Sequence, residues 1–198
     1  MQIKLDTKIP PPWSFIILSI LGLAFIAIVG SFLILAAPHE LRYEDLASLT
    51  SPALPIRLEI PNIRVDSSLE YVGITPQGAV AVPVGPTNAA WFYLGPAPGE
   101  IGSAVIVGHD GWKDNIPAVF DNLYQLKKGD MVYVEDDMGV TTTFMVTAVQ
   151  TYDQNADAAA VFSSNDGKAH LNLITCEGIW NAVTKRYANR IVVFTDKI

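Results

Sequence analysis

From Ser14 to Ala37 the chain runs for 24 residues without a charge, a proline or a strongly polar group. As a helix at about 1.5 Å per residue, such a stretch covers roughly 36 Å, enough for the ~30 Å hydrocarbon core of a bilayer with some tilt. A cleaved signal peptide has a shorter apolar core, commonly ~7–15 residues, and here Pro38 would follow the small pair Ala36-Ala37 at the cut. Length therefore favours a retained transmembrane anchor, and Trp13 fits an interfacial position at its start. The flanks orient it. Lys4 and Lys8 stand against Asp6 on one side, while Arg42 and His39 lie among Glu40, Glu44 and Asp45 on the other. The excess of Lys on the short side predicts a single-pass cell-membrane protein with a cytoplasmic N-terminus. The expected organisation is a tail over 1–13, the anchor over 14–37, a proline-bearing tether over 38–55 and an extracytoplasmic domain over 56–198.

Composition removes several classes of function. The net charge is −7 and no run of Lys or Arg occurs, which argues against a nucleic-acid partner. With 50% apolar and 17% charged residues the chain is not disordered. One cysteine and three histidines leave no internal disulfide and little room for a metal cluster, so no cofactor or metal is expected. Glu135-Asp136-Asp137 reads as a solvated hairpin turn and not as a calcium site, which needs about six to eight oxygen ligands.

Beyond the tether the pattern is mostly strand. Arg57 to Ile60, Ala79 to Val82 and Ser103 to Val107 are short apolar or alternating runs bounded by Pro and Gly. Met131 to Val134 and Thr141 to Val149 form a hairpin pair, the second arm rich in β-branched residues. His170 to Thr175 and Tyr187 to Phe194 add two more. Only Ala118 to Leu126 reads as a helix, with Phe120, Leu123 and Leu126 on one face. Without βαβ alternation, the expectation is a mainly β fold: one closed, antiparallel-rich barrel of about eight strands with one or two short helices, preceded by the transmembrane helix.

Cys176 is the one candidate nucleophile of its kind. A reactive thiol needs a base or cation beside it and a donor for the oxyanion. His39 lies in the tether. His170 is six residues before Cys176 on the same strand, about 20 Å away at ~3.3 Å per residue, and cannot touch the thiol. His109 remains, just past the Ala104–Val107 run in Gly108-His109-Asp110-Gly111, as a candidate base or as an ordinary loop histidine. If the Cys176 strand and the strand from Tyr187 pair as a symmetric hairpin, the partner of Cys176 is Arg190. Its guanidinium can then hold a carbonyl oxygen as negative charge develops, although a solvated strand charge has the same sequence. A register shifted by four residues brings in Arg186 instead.

Asn172-Leu173-Ile174-Thr175-Cys176 resembles the Thr-Leu-x-Thr-Cys signature of sortases, the membrane-anchored transpeptidases of bacterial surfaces. The likeness extends over most of 56–198. Ile60-Pro61-Asn62-Ile63-Arg64-Val65 is similar to the family's first strand. Trp91, then Gly95 to Ser103, lead into Gly108-His109, and Phe120, Leu123 and Leu126 precede Gly129-Asp130. Tyr187 to Phe194 matches the strand that carries the family's arginine.

The resemblance implies catalytic roles for His109, Cys176 and Arg190, and a part for Thr175 in shaping the substrate groove. Asn172 departs from the signature's first threonine. The sequence is most similar to the class E and F groups, and the Asp-Pro-aromatic lid motif of pilus-building members is missing from 38–56. The implied reaction is cleavage of an Leu-Pro-x-Thr-Gly-like sorting signal on secreted proteins through a thioacyl intermediate. Transfer then goes to an amine of a cell-wall precursor or of another surface protein. Tyr152 to Gly167 is the candidate groove wall. A cysteine peptidase would share the thiol but release product to water, and a membrane-tethered β-barrel that only binds would leave Cys176 inert.

Overall fold

The structure, a computed structural model, describes residues 53–153, 156–181 and 186–198. The expected tail, the anchor and all but the end of the tether lie outside these residues. Among the described residues, no helix is long and apolar enough to cross a membrane.

The described residues form eight strands: β1 (Pro55–Ile60), β2 (Val65–Val72), β3 (Ala89–Phe92), β4 (Gly102–Val107), β5 (Met131–Asp136), β6 (Thr141–Asp153), β7 (Ala169–Asn181) and β8 (Arg186–Lys197). They close into a barrel in the spatial order β1-β2-β3-β4-β7-β8-β6-β5, with β5 pairing back onto β1. The expected mainly β closed barrel of about eight strands is therefore present. Two pairs are parallel, β2 with β3 and β4 with β7; the other neighbours are antiparallel.

The β4–β7 pair leads to the cysteine strand's outer face. Parallel strands are usually covered on both faces, and these are. Ala104, Ile106, Leu171 and Leu173 join the barrel interior together with Leu58, Phe144 and Val193. Val105 and Val107 face outward into a second apolar cluster with Val72 and Ala90, against which Phe92, Phe162 and Ile174 pack. That two-sided burial explains why Ser103 to Val107 is nearly continuously apolar in sequence.

Three local expectations are corrected. Ala118 to Leu126 is not an α-helix but a series of turns ending in one 3-10 turn, Leu123–Gln125. Asp121 shapes it, its carboxylate accepting the amides of Gly111 (2.7 Å) and Ala118 (3.0 Å). Phe120, Leu123 and Leu126 are nonetheless buried as one apolar face. Ala79 to Val82 forms no strand; a single Ile74–Val80 bridge is all that pairs, and Pro83 has no amide to continue it. Finally, the strand predicted over His170 to Thr175 runs on through Cys176 to Asn181, beyond a bulge after Glu177. The short helix that does occur, α1 (Ala159–Phe162), lies in the connection between β6 and β7.

Candidate active site

Antiparallel pairing of β7 and β8 places Cys176 directly opposite Arg190. Arg186 opens β8 opposite Asn181, further along the hairpin. On its other edge Arg190 faces Tyr152 of β6, so the arginine sits between the cysteine strand and the strand leading to the β6–β7 connection. Its Nη1 donates to the carbonyl of Asn189 at 2.8 Å. Cys176, Arg190 and Tyr152 line one cavity of about 350 Å³. Burial pushes the Cys176 thiol above its ordinary pKa, the nearby charge of Arg190 draws it down, and that of Asp110 pushes it up. The resting thiol is accordingly protonated at neutral pH, and Arg190 is the group that favours the thiolate.

Gly108-His109 is tied to the cysteine strand. The β4–β7 ladder ends with Val107 beside Ile174. Past it, Gly108 N–H donates to Ile174 O at 3.1 Å and the Thr175 hydroxyl donates to Gly108 O at 2.8 Å. Both polar groups of Gly108 are thus held by β7, and continuing the register puts His109 level with Cys176. Thr175 also lines the cavity, yet it is buried and its hydroxyl is engaged in this tie. Only glycine fits at 108: a Cβ there would lie 2.5 Å from Cδ2 of Phe120 and 2.7 Å from Cγ1 of Val119. This packing is the physical content of the Gly-His pair.

The imidazole of His109 is oriented by two neighbours. Its Nε2 lies 2.9 Å from the carbonyl oxygen of Pro83, and its ring meets Trp112 edge-on with centroids 4.7 Å apart. A carbonyl only accepts, so Nε2 carries a proton here and Nδ1 is the nitrogen left for proton exchange. The cavity is lined by Gly108 and not by the His109 ring. Cys176 and Arg190 are therefore brought together, while His109 stands beside them, docked on Pro83.

The walls come from two connections. Ala156, Ala158, Val161 and Phe162 supply one, inside the predicted Tyr152–Gly167 segment. Ala79, Val80 and Val82, from the β2–β3 connection, supply the other. This second wall and its Pro83 contact to His109 were not legible in the sequence, because the segment makes no regular strand and meets His109 from 26 residues away. The remaining candidates lie elsewhere. His170 bonds Asp196 (2.8 Å) and Asp166 (3.0 Å); burial lowers its pKa, but the two carboxylates outweigh that and raise it. Asp136 and Asp137 accept backbone amides of their own turn and of Leu54.

A thiol, a guanidinium across the strand pair and a histidine at the same level form an arrangement suited to acyl transfer. The comparisons with known proteins agree in fold. Sortase A of Corynebacterium diphtheriae, as a lid mutant, superposes with a TM-score of 0.57 at 22% identity, over 82% of this chain and 82% of that one. Sortase C-1 of Actinomyces oris gives 0.58 at 22% identity, over 82% and 85%. Sortase C-1 of Streptococcus pneumoniae gives 0.57 at 23% identity, over 72% and 66%. No curated protein sequence matches significantly. The model of the sortase domain matches residues 58–198, which spans both walls of the cleft, Gly108-His109 and the β7–β8 pair, and by that match the chain belongs to the sortases, the cysteine transpeptidases.

Proposed function

We propose that this sortase is held in the membrane by Ser14–Ala37 and acts outside the cell on Leu-Pro-x-Thr-Gly-like sorting signals of secreted proteins. The observation that carries the assignment of residues is the Cys176–Arg190 pair, in one cavity with Gly108 bonded to the cysteine strand. Cys176 Sγ gives its proton to His109 and, as thiolate, attacks the threonine carbonyl. Arg190 holds the oxygen as it becomes negative, and its charge also lowers the cost of forming the thiolate. The C–N bond breaks, and the departing amine takes a proton from His109. An incoming amine of a cell-wall precursor or a surface protein then attacks the thioacyl carbon, gives its proton to His109 and expels Cys176. Thr175 fixes the level of His109 through Gly108. The apolar walls at Val80, Val82, Val161 and Phe162 favour an apolar side chain in the peptide. The class E and F likeness rests on the sequence motifs.

The full-length protein in mild detergent is incubated with a peptide library and hydroxylamine, with Cys176→Ala alongside. Hydroxamate at the threonine, formed by the parent alone, is the expected product. Water-derived acid with no dependence on amine would indicate a peptidase. No product, together with a thiol inert to alkylation, would indicate a binding domain.

A further inference from the structure

The helix α1 is four residues long, a single turn. A turn this short is not stable by itself, so neighbours must set its position. Its apolar side packs outward of the barrel: Val161 is buried, and Phe162 meets Phe92 edge-on at 6.0 Å. One side of α1 borders the Cys176 cavity, where Val161 and Phe162 form the wall. The other borders a second cavity of about 440 Å³, reached by Ala160, Ser163 and Asn172. Packing on Phe92 and the outer face of β4 seats the turn, and a directional contact adds to that packing.

Asn172 makes that contact. It lies on β7, four residues before Cys176 and on the same face, and is 2% exposed. Its Nδ2 donates to Val161 O at 2.6 Å. Carbonyls in the last turn of a helix lack an intrahelical partner, and a buried amide is costly unless bonded, so each group satisfies the other. The Asp166–His170 bond holds only the far end of the same connection, beside the start of β7. A threonine there would carry its hydroxyl one bond closer to the backbone and so further from Val161 O.

We propose that Asn172 is a positioning residue for substrate selection. By bonding Val161 O it sets how far Val161 and Phe162 enter the cleft, and so which apolar side chain of the sorting peptide fits between them and Ile174. The inference rests on the sortase reading of Cys176. Full-length parent, Asn172→Ala, Asn172→Thr and Asn172→Asp are compared with peptides whose first residue is Ala, Val, Leu or Phe. Hydrogen exchange, thermal stability and Cys176 alkylation are followed in parallel. The expected result in each variant is KM for the preferred peptide raised about tenfold, as for loss of one buried hydrogen bond. The ranking of the four peptides flattens, and kcat stays within about twofold. Amides of α1 exchange faster while those of β7 and the alkylation rate do not change. A folded variant with unchanged KM and ranking overturns the proposal. So does a loss in which kcat, alkylation and stability all fall together, since Asn172 would then be merely structural. A parent that transfers no peptide overturns the sortase reading itself and the subsite with it.

Discussion

The two faces of β7 differ as much as any two regions of the molecule. Leu171 and Leu173 point into the barrel and are fully buried there. Their neighbours His170, Asn172, Ile174 and Cys176 alternate to the outer face. There they bond carboxylates, hold α1, floor the cleft and present the thiol. In the proposed mechanism one strand thus supports the fold with one row and the chemistry with the other. Because both rows share a backbone, the rigidity of the inner row is passed to the outer at no distance. The outer row should then tolerate substitution without unfolding, and the inner row should fail in the opposite way.

The sharpest break of this contrast is Cys176→Ala. Transfer is expected to disappear, with the thermal midpoint nearly unchanged. Arg190→Ala should come next, lowering kcat by roughly 10²–10³-fold, the usual cost of removing an oxyanion donor. It should also move the Cys176 alkylation profile to higher pH, because Arg190 is the charge that draws the thiol down. Leu173→Ala tests the inner row and is expected to cost about 2–5 kcal/mol in denaturant unfolding, with little change in kcat for the molecules still folded. Gly108→Ala joins the two faces. Its Cβ would press on the buried Phe120 ring, so we expect about 1–3 kcal/mol of destabilisation together with reduced turnover, as His109 is displaced.

The smallest effect concerns His170. Its pKa is raised in the folded state, so its contribution is fully present below the unfolded value of about 6.5 and is lost as pH rises through the folded value. Asp166 is held well below the usual carboxylate range, by its hydrogen bond to His170 first and the Lys168 amide next. Its contribution is lost as pH falls through that depressed value. Stability from the pair is greatest between the two limits. Thermal midpoints of parent and His170→Gln should differ most below the unfolded histidine value of about 6.5 and converge as pH rises through the raised folded value, a pattern absent if the contact contributes nothing.

Much of this arrangement was legible in the sequence, and the parts that were not have physical reasons. The strands at 103–107, 170–175 and 187–194 announce themselves by β-branched and apolar runs. The Cys176–Arg190 register follows from hairpin symmetry, and the bulge lies beyond Glu177, where it leaves that pair undisturbed. β2 was hidden because one of its inward positions is Ser67, whose hydroxyl bonds Thr87 O and the Ala89 amide inside the barrel. β3 begins with two alanines, too small to mark a strand. Phe120, Leu123 and Leu126 imitate a helix face, but uniform spacing by three is the period of 3-10 turns and not of an α-helix. Asn172 marked a departure from the family signature, but its bond to Val161 depends on how the β6–β7 connection folds back.

The most direct test of the account is the mass of the protein during turnover. Full-length enzyme is mixed with a Leu-Pro-x-Thr-Gly peptide in the absence of amine, quenched in acid within seconds and analysed intact and after digestion. The expected product is an adduct of the peptide up to its threonine, located on Cys176, sensitive to hydroxylamine and absent in Cys176→Ala. Cleavage of the peptide with no adduct, or with an adduct on any other residue, would contradict it.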